Sequence, residues 1–376
     1  MTVNQDAFRD SHQINGVESL RGAAALMVLV YHVVELMKIP VPDELAFIRS
    51  HFGLGVPLFF VLSGFVLAYG YAGKLSSPDR VMAFYVRRLF RIAPLFYLML
   101  MLWLAVNFVF WDKTFTVEEL FLNASFLFGL VPGTHESIVW AGWSIGIEML
   151  FYFTFPVLIL LVVDVRASLV FFIVSLALSQ AIQDALRKFG LGSYVYMNLG
   201  THLPFFAAGI ACFRIWERLR FFRGALSGWT LFVVASIAAV AMVTSESAYL
   251  FLYQTGFGNI ERNVWAVIFG ALLLSGCIVS LPFLERGPLR QLGKLSFSLY
   301  LTHPMVMVLL IKIGLPEIIA QQVPGALPGF LVAAAMTIAA VSLVSTLTFR
   351  FVELPGINIG RRFARRATRG AGVPAR

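Results

Sequence analysis

Long apolar windows separated by short polar segments dominate the chain, and each window is long enough to cross a hydrocarbon layer as a helix. A further apolar piece, 120–131, is short and is followed by Pro132 and Gly133, so we expect an interfacial or re-entrant segment there. The pattern predicts an all-α polytopic membrane protein with about ten transmembrane helices. The ten predicted spans are 17–37, 52–72, 89–110, 142–163, 166–186, 198–215, 227–245, 263–283, 295–314 and 329–351.

The composition supports a membrane protein, because 59% of the 376 residues are hydrophobic, 13% are charged and the mean hydropathy is +0.83. A soluble core could not bury that much apolar surface. The first apolar run contains Arg21 and His32 and follows a polar segment, so we expect it to remain as a helix and not to be a cleaved signal. Cys212 and Cys277 fall inside predicted spans, where packing is their expected role.

The distribution of basic residues indicates the topology. With the N terminus inside, most of the 29 lysines and arginines fall in inner segments, which is the bias of cytoplasmic loops. Both termini are therefore predicted to be cytoplasmic, and the net charge of +9 is attributed to topology and not to nucleic-acid binding. The predicted organisation is a cytoplasmic segment 1–16, a transmembrane domain 17–355, and a basic tail 356–376 that is unstructured and contacts anionic lipid.

The first span carries two ionisable residues on one face. Arg21 and His32 are separated by ten residues, and at about 100° and 1.5 Å per residue this spacing returns to nearly the same face about 16 Å further along. Arg21 alone could be a boundary anchor, and His32 alone could be a satisfied bundle histidine. Together they indicate a functional site, since charged groups are costly in a membrane and a neutral imidazole suits proton abstraction.

An arginine cluster and a glycine-rich helix follow. Arg87, Arg88 and Arg91 lie within about one turn of each other at the start of the third span. They could anchor the topology, or they could bind phosphate, which guanidinium groups contact bidentately. In the second span, GLGVPLFFVLSGF, small residues predict close helix packing, and Ser63 could instead line a cavity.

Polar residues of later spans complete the candidate set. Glu148 in WSIGIEMLFY could be the structural partner of an arginine, orient a histidine, or bind a polar substrate. In LGKLSFSLYLTHP, Tyr300 and His303 share a helix face, and Pro304 could open the helix locally. Glu353 closes the last span and is expected to form a salt bridge with a basic loop. No Walker-type loop, GxSxG elbow or HExxH pair occurs, so nucleotide hydrolysis and zinc chemistry are not predicted.

Together these segments resemble acyltransferase family 3 of membrane proteins, which includes bacterial O-acetyltransferases of lipopolysaccharide, exopolysaccharide and peptidoglycan. The resemblance extends from about Gly16 to Pro355. It rests on the Arg-x10-His pair followed by GVPLFFVLSGF, RRLFRIAPLFY, WSIGIEMLFY and SLYLTHP. Each piece is weak alone, whereas the five in order with ten spans form a specific signal.

The resemblance implies transfer of an acyl group, usually acetyl from cytoplasmic acetyl-CoA, to a sugar hydroxyl at the outer side of a bacterial inner membrane. Succinyl-CoA or another acyl-CoA is an alternative donor, and no metal is expected. The implied acceptor is a glycan or a lipid-linked glycan. Membrane lipids and polysaccharide-assembly proteins are further implied partners, and nucleic acid is not.

Residue roles follow from the resemblance position by position. His32 would be the catalytic histidine, either as a general base or as a transient acyl carrier, and Arg21 would be its motif partner. The implied catalytic candidates are His32, Arg21, Glu148, His303 and Tyr300. The implied donor-binding candidates are Arg87, Arg88, Arg91 and Ser63.

Two positions depart from the family pattern. Glu18 stands near the arginine where the family often has Asp, which keeps a carboxylate. Pro57 stands where many members have Asp, so no role for an acid is carried over to the second span. The extracellular hydrolase-like domain of some members is absent from this sequence, and we expect transfer to occur within the membrane domain or with a partner protein.

Two other functions fit part of the pattern. A proton-coupled transporter or flippase of a lipid-linked sugar or anionic solute would also use ten spans and buried histidines. A scaffold for polysaccharide assembly would not explain why Arg21 and His32 occur within an apolar span. The lack of paired repeats and the arginine cluster favour the acyltransferase.

Overall fold

The computed structural model describes residues 3–219, 225–245, 260–279 and 287–369, and within these ranges every regular element is helical. This confirms the predicted all-α class. The helices are α1 (Val3–Glu35), α2 (Phe47–His51), α3 (Gly55–Tyr71), α4 (Pro78–Trp111), α5 (Val117–Ala124), α6 (Trp143–Leu161), α7 (Val165–Lys188), α8 (Leu199–Leu219), α9 (Ala225–Thr244), α10 (Ile260–Ile278), α11 (Pro288–Lys294), α12 (Ser296–Lys312), α13 (Leu315–Gln322), α14 (Ala326–Thr348) and α15 (Leu354–Arg369).

Each of the ten predicted spans overlaps one long helix, but fewer are apolar enough to cross a membrane. Within the described ranges seven helical segments meet that condition, or eight if α11 and α12, which meet at 83°, form one broken span. Helix α8 falls short because it contains His202, Pro204 and Arg214, and the apolar part of α10 is short. The predicted count of ten is therefore higher than the seven or eight supported here, and the cytoplasmic position of the termini stays a prediction.

Apolar side chains cover the outside of the bundle. On α7 the side chains of Ile173 and Val174 are exposed, and on α9 those of Val234 and Ile237 are exposed. Such a surface is unfavourable in water and favourable against lipid chains. The exposed apolar surface therefore agrees with a multi-pass membrane protein.

The short apolar piece 120–131 does not form a span. Helix α5 has 8 residues and is followed by a 3₁₀ turn, Phe128–Leu130. The helix begins at a capping box, in which Thr116 accepts a hydrogen bond from the backbone N–H of Glu119 and the Glu119 carboxylate accepts one from the Thr116 backbone. The expectation of a short, non-spanning segment is confirmed.

Glycines of α3 bring it close to two neighbours. A Cβ atom on Gly64 would lie 2.2 Å from the carbonyl oxygen of Phe206 in α8, and one on Gly55 would lie 2.5 Å from that of Ala24 in α1. Both contacts require a hydrogen in place of a side chain, which confirms the predicted close packing of the second span. Helix α3 is thereby held between α1 and α8, where its Ser63 reaches the interior.

The predicted opening of the helix at Pro304 is wrong. Helix α12 runs through Pro304, and the 83° bend lies at its start, next to Leu295. Proline is tolerated in membrane helices because neighbouring helices compensate for the lost hydrogen bond. The bend allows α11 to pack against α1 while α12 enters the bundle.

Residues 356–369 of the basic tail, which we expected to be unstructured, belong to α15, and this helix packs along α4. A π-helical turn, Phe349–Glu353, joins it to α14. Gly356 and Gly360 lie against Pro94 and Phe90 of α4, so the two helices can approach closely. Packing therefore orders a sequence whose arginines and glycines alone do not predict a buried face, and residues 370–376 of the predicted tail lie outside the described residues.

Candidate active site

Arg21 and His32 face the same neighbouring helix. The Nε atom of Arg21 donates a hydrogen bond of 3.1 Å to Ser296 Oγ, and His32 Nδ1 lies 3.2 Å from His303 Nε2. Ser296 and His303 both belong to α12, so the predicted shared face of Arg21 and His32 is confirmed. The first span and the ninth predicted span together build the centre of the site.

Hydrogen bonds assign the protons of the two histidines. His32 Nδ1 lies 2.8 Å from the carbonyl oxygen of Val28, and His303 Nδ1 lies 2.6 Å from that of Tyr300. A carbonyl oxygen can only accept, so each Nδ1 carries the proton in the neutral ring. His303 Nε2 then accepts from His32 Nδ1, and His32 Nε2 is left as the basic nitrogen. Within the described residues no group of three potential His, Cys, Asp or Glu metal ligands occurs.

A narrow pocket, the arginine cavity, lies between α1, α3, α4, α6 and α12. Its volume is about 60 Å³, and its charged lining residues are Arg21, Arg88, Arg91 and Glu148. Three guanidinium groups against one carboxylate leave this cavity cationic inside an apolar bundle. Such a lining concentrates anionic ligands, because the low-dielectric walls focus the field.

Only part of the predicted arginine cluster lines the cavity. Arg88 and Arg91 line the cavity, whereas Arg87 does not and is exposed. The guanidinium of Arg88 lies 5.4 Å from the ring centres of both Tyr71 and Tyr152. Its Nε atom is buried and has no hydrogen-bond acceptor among the described residues. Arg88 is therefore held by cation–π contacts, and its Nε–H can still donate a hydrogen bond to a ligand.

Glu148 is a hydrogen-bond partner of two hydroxyl groups. Its Oε1 atom accepts hydrogen bonds from Ser63 Oγ, at 3.0 Å, and from the hydroxyl of Tyr152. Glu148 also shares the lining of the arginine cavity with Arg21, Arg88 and Arg91. Of the three roles that the sequence left open, the structure singles out none, because within the described part of the chain Glu148 forms neither a salt bridge with an arginine nor a hydrogen bond with a histidine. Tyr152 was missed, although its i, i+4 spacing from Glu148 was a usable signal.

Glu353 lies buried behind Arg91. Its Oε2 accepts a hydrogen bond of 2.8 Å from Ser298 Oγ, and its Oε1 lies 3.4 Å from Arg91 Nη2. The predicted salt bridge of Glu353 is present, but its partner is on α4 and not in a loop. Glu353 ends the π-helical turn, and such turns often occur at functional sites.

Tyr300 separates the arginine cavity from a second one. Its hydroxyl lies 2.7 Å from Ser144 Oγ and donates to the carbonyl oxygen of Ala141 at 3.1 Å. Tyr300 and Ser144 line the arginine cavity, whereas Ala141 lines the second cavity. The contacts between these three residues thus form a partition between two spaces.

The second space, the histidine cavity, is wider, with a volume of about 430 Å³ and His32 in its wall. Its other charged lining residues are Glu35, Lys113 and Glu136. Glu35 lies one turn after His32, and its Oε1 is 3.7 Å from Arg49 Nε. Sequence reasoning missed Glu35, although the i, i+3 spacing from His32 places both on one face.

The fold and the site define a multi-pass helical membrane protein with an ionisable site inside its bundle. The chain belongs to acyltransferase family 3, because the family model described as an acyltransferase domain matches residues 14–348. This confirms the predicted family, and by membership the chain is a membrane acyltransferase. No solved structure matches it significantly.

The names of three similar proteins state related activities. The peptidoglycan O-acetyltransferase OatA of Listeria monocytogenes is 24% identical over 91% of this chain and 55% of its own length. "Putative peptidoglycan O-acetyltransferase YrhL" of Bacillus subtilis is 27% identical over 79% of this chain and 49% of its own length. "Putative acetyltransferase ORF330" of Acidianus two-tailed virus is 27% identical over 80% of this chain and 85% of its own. The chain thus spans about half the length of the two bacterial relatives.

Proposed function

We propose that this protein transfers an acyl group from acyl-CoA to a hydroxyl group of a glycan, with His32 as the base. The single observation that carries the proposal is the position of His32. Its Nδ1 is occupied by Val28 O and His303, and its ring lies in the wall of a cavity that is separated from the cationic arginine cavity by one partition. A base beside an anion-binding pocket is the arrangement that a thioester of a phosphorylated carrier requires.

The arginine cavity is the proposed donor site. Arg21, Arg88 and Arg91 supply the cations for the CoA phosphates, and Arg88 still has an unused donor. A volume of about 60 Å³ has no room for a nucleotide, so the nucleotide stays at the mouth, and the acyl arm passes through the cavity and past Tyr300 toward His32. The distance from Arg21 to His32 along α1, about 16 Å, is comparable with an extended pantetheine arm. Acetyl is the first candidate because the relatives are named as acetyltransferases, and succinyl is the alternative.

In the proposed reaction, one proton moves from the acceptor hydroxyl to His32 and then to the leaving group. His32 Nε2 takes the proton of the acceptor hydroxyl as the oxygen attacks the thioester carbonyl carbon. The tetrahedral intermediate collapses, the C–S bond breaks, and the imidazolium returns the proton to the leaving thiolate to give free CoA. General-base assistance of this kind contributes typically about 10² to 10⁴ in rate. In the alternative route, Nε2 itself attacks and carries the acyl group before handing it to the acceptor.

The same proposal assigns the two sides of the membrane. The arginine cavity faces the cytoplasm, where acyl-CoA is present, and the histidine cavity faces the outer side of a bacterial inner membrane. A glycan or lipid-linked glycan enters from that outer side, with membrane lipids and polysaccharide-assembly proteins as neighbours. The predicted cytoplasmic termini agree with this orientation.

The test is release of free CoA by the purified protein from acetyl-CoA and succinyl-CoA, with and without a glycan extract. We expect acceptor-dependent release that His32→Ala abolishes, and His51→Ala is the matched control because His51 lies outside both cavities. Retained release in His32→Ala, with an unchanged thermal unfolding midpoint, would refute the role of His32. Release from neither donor, together with movement of a labelled glycan across vesicles, would identify a transporter instead.

A further inference from the structure

We infer that Glu148 binds the pantetheine arm of the donor, and that its Oε2 atom accepts a hydrogen bond from the amide N–H nearest the sulfur. This inference rests on the proposed function, because it requires the acyl arm of CoA to pass through the arginine cavity. Three features of Glu148 support it, namely its unused oxygen atom, the lack of a salt bridge to the arginines, and its position along α6.

The two carboxylate oxygens of Glu148 have different surroundings. Oε1 accepts hydrogen bonds from the hydroxyls of Ser63 and Tyr152, which hold the carboxylate between α3 and α6. Oε2 has no hydrogen-bond partner within the described residues, and it stays accessible because Glu148 lines the arginine cavity. An ionised carboxylate only accepts hydrogen bonds, and an amide N–H only donates. The side chain therefore presents one unused acceptor to a ligand in the cavity.

Glu148 does not act as the salt-bridge partner of an arginine. The three arginines of the arginine cavity form no salt bridge with it within the described ranges. Glu353 provides the contrast, because its carboxylate lies 3.4 Å from Arg91 and does not line the cavity. Two carboxylates near the same arginines thus differ in position. Glu353 balances charge behind the wall, whereas Glu148 faces the space that the arm occupies.

The position of Glu148 along α6 matches the first amide of the arm. Helix α6 begins at Trp143 in the wall of the histidine cavity and continues into the lining of the arginine cavity. Ser144, which contacts Tyr300 in the partition, precedes Glu148 by four residues, so the two lie on one face about 6 Å apart along the axis. Helical side chains lean towards the N terminus, and the longer glutamate side chain shortens this separation.

The pantetheine arm has a matching spacing. Two carbons separate its sulfur from the first amide nitrogen, a distance of about 4 Å, and the second amide nitrogen lies about 5 Å further away. When the sulfur is at the partition, the acyl carbon points toward His32 and the first amide N–H is level with the Glu148 carboxylate. The second amide then lies beyond Glu148, on the side of the cavity mouth.

The first experiment measures binding without any transfer. The ligands are free CoA and two CoA analogues, the first-amide ester and the second-amide ester, in which an ester oxygen replaces the N–H of the named amide. Titration calorimetry with the purified protein gives Kd for each. We expect the first-amide ester to bind the wild type about tenfold or more weakly than CoA, because a hydrogen bond to a charged group is lost. The second-amide ester should bind as CoA does.

Glu148→Gln tests whether this side chain is responsible. Its oxygen remains with the donors Ser63 and Tyr152, so its NH2 group faces the ligand and donates where the carboxylate accepted. We expect the ratio of Kd between the first-amide ester and CoA to fall below about threefold, since the NH2 group can donate to the ester oxygen. Glu118→Gln, at an exposed carboxylate outside both cavities, should keep the wild-type ratio.

The outcomes separate this contact from the acyl-transfer proposal. An unchanged ratio in Glu148→Gln, or a loss confined to the second-amide ester, would overturn the role of Glu148. Equal binding of all three ligands by the wild type would overturn it without any variant, so the test holds even if Glu148→Gln does not fold, and the proposed donor site would stand. Binding of none of the three by the wild type would overturn the donor site together with the inference.

Discussion

His303 Nε2 lies 3.2 Å from His32 Nδ1, and this contact, together with the carbonyl oxygen of Val28, leaves Nε2 as the basic nitrogen of His32. The carbonyl oxygen of Tyr300 holds the proton of His303 on Nδ1, so Nε2 of His303 can only accept in the neutral ring. His303 is thus a positioning residue for His32 and not itself the base. Its effect resembles the second hydrogen bond that fixes a histidine tautomer in other catalytic sites.

We expect His303→Ala to lower kcat about 10- to 100-fold, because only the hydrogen bond to Val28 then fixes the orientation of the His32 ring. His303→Gln should recover much of this loss, since a side-chain amide can accept from His32 and donate to the Tyr300 carbonyl. Rates measured across a pH series separate lost orientation from altered protonation. Equal activity of the alanine and glutamine variants would contradict the positioning role.

Arg88 and Arg87 provide a matched pair for the donor site. They are adjacent in sequence, but only Arg88 lines the arginine cavity. We expect Arg88→Met to raise KM for acyl-CoA about tenfold or more, because a charge-assisted hydrogen bond to phosphate contributes about 1.5 to 3 kcal/mol. Arg87→Met should change KM little. Steady-state kinetics decides the matter, and equal effects of the two substitutions would place the phosphates elsewhere.

Tyr300→Phe should uncouple CoA release from the acceptor. The hydroxyl connects Tyr300 to Ser144 and Ala141, and without it the partition between the cavities loses both hydrogen bonds. Water from the wider cavity can then reach the thioester. We expect acceptor-independent CoA release to rise several-fold while acceptor-dependent transfer falls. Unchanged hydrolysis in the absence of acceptor would show that the partition has another basis.

Gly64 and Gly70 test the packing of α3. A Cβ atom at Gly64 would lie 2.2 Å from the Phe206 carbonyl oxygen, whereas one at Gly70 would meet nothing within 4 Å. Gly64→Ala should reduce the free energy of unfolding by about 1 to 3 kcal/mol through overpacking. Gly70→Ala in the same helix should leave stability unchanged or improve it by up to about 1 kcal/mol. Thermal unfolding midpoints in detergent compare the two, and equal midpoints would refute the close contact.

Glu353→Gln should destabilise the bundle and weaken donor binding together. The amide can still accept from Ser298, but Arg91 loses the carboxylate that lies 3.4 Å away. Because Arg91 is partly exposed, we expect a loss of about 1 to 2 kcal/mol, less than for a fully buried pair. Ser298→Ala, which removes only one hydrogen bond, is the control for stability and should leave KM for acyl-CoA unchanged. A lower unfolding midpoint with unchanged KM would limit Glu353 to a structural role.

Local periodicity predicted the parts of this protein that depend on one helix. The i, i+11 spacing of Arg21 and His32 was enough to place both on the face that meets α12, and the short length of 120–131 was enough to exclude a span there. These features depend on helix geometry alone, which is the same wherever the helix packs.

Contacts between distant helices could not be predicted in the same way. The sequence gives no signal that Arg88 enters the cavity while Arg87 points away, because both lie within one turn of α4. The packing of α15 along α4 depends on Gly356 and Gly360 meeting Phe90 and Pro94, which are far away in sequence. The partition at Tyr300 depends on the hydroxyl of Ser144 and the carbonyl oxygen of Ala141, which are far from Tyr300 in sequence. Each of these is a tertiary relationship that single-helix patterns do not encode.

Helix α4 is longer than the hydrocarbon layer is thick. Its 34 residues extend about 51 Å, against about 30 Å for the apolar interior of a bilayer, so about two fifths of the helix stands in the headgroup region or in water. If Trp111 lies at one interface, where tryptophan is enriched, the excess falls at the Pro78 end, and Arg88 and Arg91 lie at the opposite interface. A soluble carrier can then dock its polar part without leaving the aqueous phase. Only the short acyl arm has to cross the dielectric boundary.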